Sequence, residues 1–296
     1  MDNGLGQRFE QHRAHLQHLA YRMLGSLAEA DDAVSETWLR LASVDVETID
    51  NLPAWLTTVS SRICLDMLRA RENRREELIG HQPPDSADPT PGRDPEHEAL
   101  LIDSVGRALL VLLDRLGPDE RIAFVLHDMF AIPFDQIGPI VDRSTATTKK
   151  LASRARRKIH GHHEISAAEL TRHRRVIDTF LTASRAGDIH TLLEVLSADV
   201  IRRADQHAIP TDRPTQVQGA QTVAEEIAVF GRNARFATPL LVDGSVGLAV
   251  APHGRLRLVL MFTFDGDKIT EYTLTADPAH LERLELALLP TATPAR

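Results

Sequence analysis

The chain has 296 residues, 43% hydrophobic and 26% charged, with a formal net charge of −8 and one cysteine, Cys64. That length suits two or three domains, each with a core, while a lone cysteine excludes an internal disulfide framework and suits a reducing cytoplasm. The acidic total excludes a protein that coats nucleic acid indiscriminately, but it is compatible with a localised basic element that guides DNA binding.

The chain opens on the polar stretch "MDNGLGQRFEQHRAHL". It lacks the apolar core of a signal peptide, and no apolar run further on approaches the ~20 residues of a membrane span, so a cytoplasmic protein is expected. "QHLAYRMLGSLAEADDAVSETWLRLAS" then places Leu19, Tyr21, Met23, Leu24, Leu27, Ala30, Val34, Trp38 and Leu41 near helical spacing. "LPAWLTTVSSRICLDMLRARENRREEL" does the same with Trp55, Leu56, Val59, Ile63, Met67 and Leu68. Pro53 falls near its start, where a missing N–H is tolerated. "HQPPDSADPTPGRDPEH", His81 to His97, carries five prolines and reads as an extended linker. Three further helical segments follow, "EALLIDSVGRALLVLLDRL", "PDERIAFVLHDMF" and "PFDQIGPIVDRSTATTKKLASRARRKI".

Past Leu170 the pattern changes. Helices are expected around 169–185, 189–196 and 222–230. "RLRLVLMFTFDGDKITEYTLTA" alternates, with Leu256, Leu258, Leu260, Phe262 and Phe264 on one side and Asp265-Gly266 as a hairpin turn. A last helix, "PAHLERLELALL", closes the chain, and its five leucines make it the candidate docking element against the front of the molecule. This half reads as an α+β domain with an antiparallel sheet.

The stretch from Asp142 to His163 concentrates positive charge, with no acid after Asp142. It has helix-turn-helix form. Ile137, Ile140 and Val141 mark a first short helix, Asp142-Arg143 the turn, and Ser144 the N-cap of a second helix. Leu151, Ala155 and Ile159 would be its buried side. Its exposed side would carry Thr147, Lys149, Lys150, Ser153, Arg154 and Arg157. Small polar groups at the helix start suit a major groove, and the following cations suit phosphates. A solvated basic helix is the competing reading. A second basic run comprises Arg62, Arg69, Arg71, Arg74 and Arg75. Between Glu29 and Asp50 the balance reverses, with seven acids facing only Arg40.

"YRMLGSLAEADDAVSETWLRL" with "AWLTTVSSRICLDMLRARENRRE" resembles region 2 of an extracytoplasmic-function RNA polymerase sigma factor. "ALLVLLDRLGPDERIAFVLHDMFAIPFDQIGPIVDRSTATTKKLASRARRKI" resembles its region 4. "FVLHDMF", "PFDQI" and "LASRARR" resemble the sigma-J-like subgroup, which adds a SnoaL-like domain of the nuclear-transport-factor-2-like cone type. The resemblance implies two all-α sigma domains followed by an α+β cone-shaped antiparallel-sheet domain. The expected boundaries are 1–80 for region 2, 81–100 for the linker, 101–163 for region 4 and 164–296 for the SnoaL-like domain. It implies that Asp31, Asp32 and Glu36 dock on the β′ clamp helices of core RNA polymerase, with region 4 at the β flap. Arg62, Asp66, Arg69 and Arg71 would serve the −10 element. Ser144, Thr145, Thr147, Lys149, Lys150, Ser153, Arg154 and Arg157 would serve the −35 element. The linker reads "GHQPPDS" where many relatives carry a "WLPEP"-type signature, and "ADPAHL" stands where an "NPDKL"-like motif often ends the extension.

Trp38 and Trp55 could stack on melted bases, but their spacing places them in a core. Cys64, between Ile63 and Leu65, reads as a buried structural thiol. His160, His162 and His163 lack the companion ligands of a metal site. Arg203, Asp205, His207, Asp243 and His253 are the candidates for a pocket, with no spacing that enforces catalysis. No metal or cofactor is called for, and a small-molecule ligand of the rear domain is left open. Together these features are those expected of an alternative sigma factor regulated in cis by its C-terminal domain. Its rivals are a one-component DNA-binding regulator with a ligand-sensing rear and a SnoaL-like cyclase or isomerase.

Overall fold

The computed structural model describes residues 3–78, 106–161 and 165–290. The linker expected at 81–100, and with it His162 and His163, lies outside the described residues. The described residues up to 156, apart from 107–112, gather into one compact unit; 107–112 and those from 157 onward gather into a second.

The first unit is helical. α1 covers Asn3–Leu24, α2 Leu27–Ala42 and α3 Leu52–Leu78. The apolar periodicity runs on from Leu19 to Leu41, yet the helix breaks at Gly25, whose φ of 74° ends α1. Ser26 then caps α2, its Oγ accepting from the Glu29 N–H at 3.4 Å. Phe9, Leu16, Val34, Leu41, Leu52 and Leu56 form a buried cluster, with Trp38 and Trp55 packed on it. The Phe9 and Trp38 rings lie 5.1 Å apart, as expected for core aromatics. Each fully buried large side chain of this kind contributes about 1.5–3 kcal/mol.

α4, Arg107–Asp114, is the described part of the next helical segment. α5, Pro118–Phe124, runs on into a π-helical turn over Val125–Met129. α6 covers Phe134–Val141 and α7 Thr145–His160.

The second unit is α+β. α8, Ala167–Ala186, begins with a full capping box between Ser166 and Glu169 and ends at Gly187. α9, Ile189–Val195, runs directly into β1, Leu196–Ala204. β2 is Gln216–Gln218, α10 Ala220–Phe230, β3 Ala237–Val242, β4 Ser245–Val250, β5 Leu258–Asp265 and β6 Lys268–Thr275. α11 is Pro278–Arg283 and β7 Leu286–Ala287. The strands form one sheet in the order β2-β1-β6-β5-β4-β3-β7. Its pairs are antiparallel except β1 with β6, which is parallel. Helices α8 to α10 supply Val176, Ile177, Phe180, Leu192 and Val223 to a core shared with Val246, Leu248, Phe262 and Tyr272 of the sheet.

Four expectations change here. The closing helix stops at Arg283, and Leu286–Ala287 becomes a strand against β3. Leu281, Leu284 and Leu286 are buried and Leu289 packs on this domain's own core, so the segment joins the sheet instead of staying helical, while the Leu288 N–H still reaches the Ile159 carbonyl at the end of α7 at 2.8 Å. The pairing of Asp265 with Lys268 puts the hairpin loop at Gly266-Asp267, one residue later than expected. The alternation in β5 is not one-sided: Val259, opposite Leu260 and Phe262, is fully buried too. The hairpin of β3 and β4 was not foreseen, although "LVDGSV" carries its signal: Asp243 and Gly244 both take positive φ, as the favoured two-residue turn requires.

Candidate nucleic-acid interface

Within the first unit α6 and α7 form a helix-turn-helix. Asp142 takes a left-handed conformation, φ 55° and ψ 50°, and its N–H bonds the Gly138 carbonyl. The Arg143 N–H reaches the same carbonyl at 3.0 Å. A β-carbon on Gly138 would stand 2.7 Å from the Arg143 carbonyl oxygen, so only glycine allows so tight a turn. Ser144 then caps α7, its Oγ accepting from the Thr147 N–H at 3.2 Å. Thr148, fully buried, donates its hydroxyl to the Ser144 carbonyl at 3.0 Å.

The buried stripe of α7 is Thr148, Ala152, Ala155 and Ile159. Ala155 and Ile159 are inside as expected; Leu151 is only half-buried, and Ala152 and Thr148 take the inner positions of the earlier turns. Ser144, Thr145, Thr147, Lys149, Lys150, Ser153, Arg154 and Arg157 are all exposed. One helix therefore presents small hydroxyls at its start and the cations Lys149, Lys150, Arg154 and Arg157 along its length. Hydroxyls reach base edges without clashing, and cations bind phosphates at any sequence.

The acidic face of α2 is less uniform. Asp32 is exposed, while Asp31 and Glu36 are half-buried. Asp31 accepts from Gln17 Nε2 at 2.7 Å, and Glu36 pairs with Arg40 at 3.2 Å. Leu39, three residues after Glu36 and seven after Asp32, is 61% exposed. An apolar side chain on an acidic face was missed from the sequence, though its helical spacing to those acids is the signal that would have found it.

The four residues expected at the −10 element are brought onto α3, but three are engaged. Arg62 donates to the Pro139 carbonyl at 3.2 Å. Arg69 donates to Asp119 Oδ1 at 2.8 Å. Arg71 is bonded to Glu29 and to the Leu24 carbonyl, and lies 3.8 Å from Asp114. Asp66 is exposed. Asp114, Asp119 and the buried Arg121 did not figure in the sequence reading; "GPDERI" looked like an ordinary helix start.

The pocket candidates of the second unit are not brought together. The Asp205 carboxylate accepts from four backbone N–H groups, of His207, Ala208, Ala276 and Asp277, at 2.8–3.0 Å. Desolvation pushes it up, but those four bonds outweigh it and hold it below the usual carboxylate value. It is a clasp between the end of β1 and the chain after β6, not a base. Arg203 faces out to Glu271 and Gln216, and Asp243 sits in the hairpin turn, accepting from the Glu285 N–H at 2.8 Å. His207 is exposed, and the side chain of His253 lies outside the described residues. Among the described residues no group of three or more histidines, cysteines or carboxylates could hold a metal ion. No described helix is long and apolar enough to cross a membrane.

Two family models match, Sigma-70 region 2 over residues 8–74 and Sigma-70 region 4 over residues 106–159. A probable ECF RNA polymerase sigma factor SigI of Mycobacterium tuberculosis is 35% identical over 281 residues, 94% of either chain. This chain belongs to the ECF RNA polymerase sigma factor family. The sigma factor is also 36% identical over 257 residues to SigJ of the same organism, covering 82% of this chain and 80% of that one. Against the crystal structure of that SigJ it aligns over 92% of its length and 96% of the other's, at 29% identity and a TM-score of 0.44. Of this sigma factor, the region 2 match takes in α2 whole, α1 from residue 8 and α3 up to residue 74, and α4 to α7 fall in the region 4 match except for the last residue of α7.

Proposed function

We propose that this chain binds core RNA polymerase, reads a promoter through two separate helical regions and directs transcription initiation, without catalysing a reaction itself. The observation that carries the reading is the exposed hydroxyl-and-cation face of Thr145–His160 on a tight helix-turn-helix. Region 2 takes residues 1–80, region 4 takes 101–163, the linker 81–100 joins them, and the rear domain takes 164–296. Asp31, Asp32, Glu36 and the exposed Leu39 form the surface for the β′ clamp helices, and region 4 meets the β flap. Ser144, Thr145, Thr147, Lys149, Lys150, Ser153, Arg154 and Arg157 face the −35 element. Arg62, Asp66, Arg69 and Arg71 serve the −10 element and strand opening. Such a protein works in the cytoplasm, where the polymerase is.

The rear domain, read as SnoaL-like, acts in cis. Tethering gives it an effective concentration on the order of millimolar against the front domains. The clasp made by Asp205 supports a regulatory rather than enzymatic role, because it occupies the best carboxylate of the domain with backbone bonds. The test is in vitro transcription with purified core enzyme and a promoter library. Promoter-dependent transcripts, and capture of core enzyme by the chain, are expected. A chain that binds DNA but never captures core enzyme would instead be a one-component regulator.

A further inference from the structure

The Gly138 turn and the Ser144 cap hold α7 at its start. Along the helix the packed side offers less grip. Thr148, Ala152 and Ala155 are small, and helices are oriented by side-chain ridges that alanines scarcely raise. A second hold comes from the π-helical turn before α6. There Asp128 Oδ1 accepts from Arg156 Nε at 2.5 Å, with the two side chains 22% and 39% exposed. Arg156 is half-buried between the exposed Arg154 and Arg157.

Asp128 is displayed by an unusual stretch of backbone. A π turn admits one residue more than an α turn, which redirects the side chains at its end. The chain leaves it through Ala131 at φ 55°, a left-handed conformation that is costly for a residue with a β-carbon. The Ala131 N–H bonds the His127 carbonyl at 3.1 Å, and the Ile132 N–H bonds the Leu126 carbonyl at 2.9 Å. The His127 ring stacks on that of Phe134 with centroids 3.7 Å apart, and its Nδ1 stands 3.0 Å from the Ile132 carbonyl. A carbonyl only accepts, so Nδ1 carries the hydrogen. Backbone strain of this kind persists where the surroundings over-determine it, and it marks residues with a task.

We propose that Asp128 and Arg156 are positioning residues for promoter reading: their ion pair sets the roll of α7 about its axis, and so which base edges the hydroxyls of Ser144, Thr145 and Thr147 meet, without either residue touching DNA. The proposal rests on the reading of α7 as the −35 helix. Base edges are told apart by hydrogen bonds that need close placement, whereas cations hold phosphates over a range of positions. Loosening the roll therefore costs sequence preference and spares affinity. The size of the effect is limited by the pair itself, since an ion pair this exposed shifts an equilibrium by about fivefold at most.

The test transcribes a barcoded promoter library, randomised at the −35 and −10 elements, with core polymerase and the full chain. Asp128→Ala and Arg156→Ala are each expected to lower the preference for the favoured −35 sequence about two- to fivefold, and by similar factors, with the −10 preference unchanged. Asp128→Glu keeps the carboxylate and should recover at least half of the loss. Fluorescence anisotropy on a duplex of arbitrary sequence should show the same salt dependence for both alanine variants and the unmodified chain. The two substitutions remove opposite charges, so a direct electrostatic role would separate them. A salt slope lowered by about one unit in Arg156→Ala, with the −35 preference intact, would make Arg156 a phosphate contact and overturn the proposal. Unchanged −35 preference in both alanine variants overturns it, as does an Asp128→Glu chain no more selective than Asp128→Ala. Loss of the −35 and −10 preferences together would mean general destabilisation and also overturns it. If the unmodified chain itself shows no −35 preference, the promoter reading of α7 falls, and this proposal with it.

Discussion

Cys64 is fully buried on α3. Burial pushes its thiol up to about 12, against a smaller opposing pull from Ser60 and Arg121. A thiol that holds its proton is neither nucleophilic nor a ready metal ligand. Maleimide at pH 7.5 is expected to leave the native chain unlabelled and to label it stoichiometrically in denaturant; rapid native labelling would show the site to be open. Asp205 makes the opposite case, an acid kept charged. Asp205→Asn removes one acceptor oxygen of a four-bond clasp and is expected to cost about 1–3 kcal/mol of unfolding free energy. The folded carboxylate titrates below its unfolded value of about 3.9, so its contribution is full above that pH and is lost as the pH falls through the folded value. Denaturant melts at pH 7 and pH 3 should therefore show the gap between the two proteins narrowing in acid. An equal gap at both values would mean that the charge is irrelevant to the clasp.

At the scale of the element, α7 separates DNA contact from folding. Lys149→Ala with Arg154→Ala removes two exposed cations and leaves the buried stripe intact. Binding to promoter duplex should weaken, and the slope of log affinity against log salt should flatten by about one unit per lost phosphate contact. Fluorescence anisotropy across a salt series reads both, and an unchanged slope would remove α7 from the interface. Gly138→Val tests the turn instead. The new side chain would push on the Arg143 carbonyl oxygen, which now stands 2.7 Å from where its β-carbon would be. The expected loss is about 1–3 kcal/mol in helix-turn-helix stability, of the order of overpacking a core. Thermal melts followed by circular dichroism should show it, and a wild-type melt would mean that the turn can widen freely. The closing leucines illustrate how an element can be misassigned: their helical spacing is real, but β3 offers an unpaired edge, and two backbone partners there outweigh a weak propensity.

For the whole molecule the question is which partner meets which face. Reversing Asp31, Asp32 and Glu36 to Lys should abolish capture of core polymerase through like-charge repulsion at a complementary surface. Folding should survive, because Asp32 is exposed and the single contacts of Asp31 with Gln17 and of Glu36 with Arg40 contribute only about 1 kcal/mol each. Leu39→Ala alone should weaken capture less, with no change in melting, since Leu39 covers no core. Pull-down beside a melting curve checks both, and a folded triple variant that still holds core enzyme at full strength would move the docking surface elsewhere.

The sequence by itself determined the helical front, the α+β rear, the helix-turn-helix and the exposure of Lys149, Lys150, Arg154 and Arg157 on α7. Those features follow from local rules: periodicity, capping by Ser144, and charge that has no reason to be buried. Trp38, Trp55 and Cys64 were legible as core for the same reason, since an apolar residue at helical spacing has one favourable direction to face. The tertiary structure alone decided what lies far apart in the chain. The parallel pairing of β1 with β6, the strand at Leu286–Ala287 and the burial of Arg202 beneath Glu226 depend on register across tens of residues. So does the fate of the α3 arginines. Nothing near Arg69 in the sequence announces Asp119, fifty residues on, because an ion pair is specified by where two chains cross and not by the residues on either side of each charge.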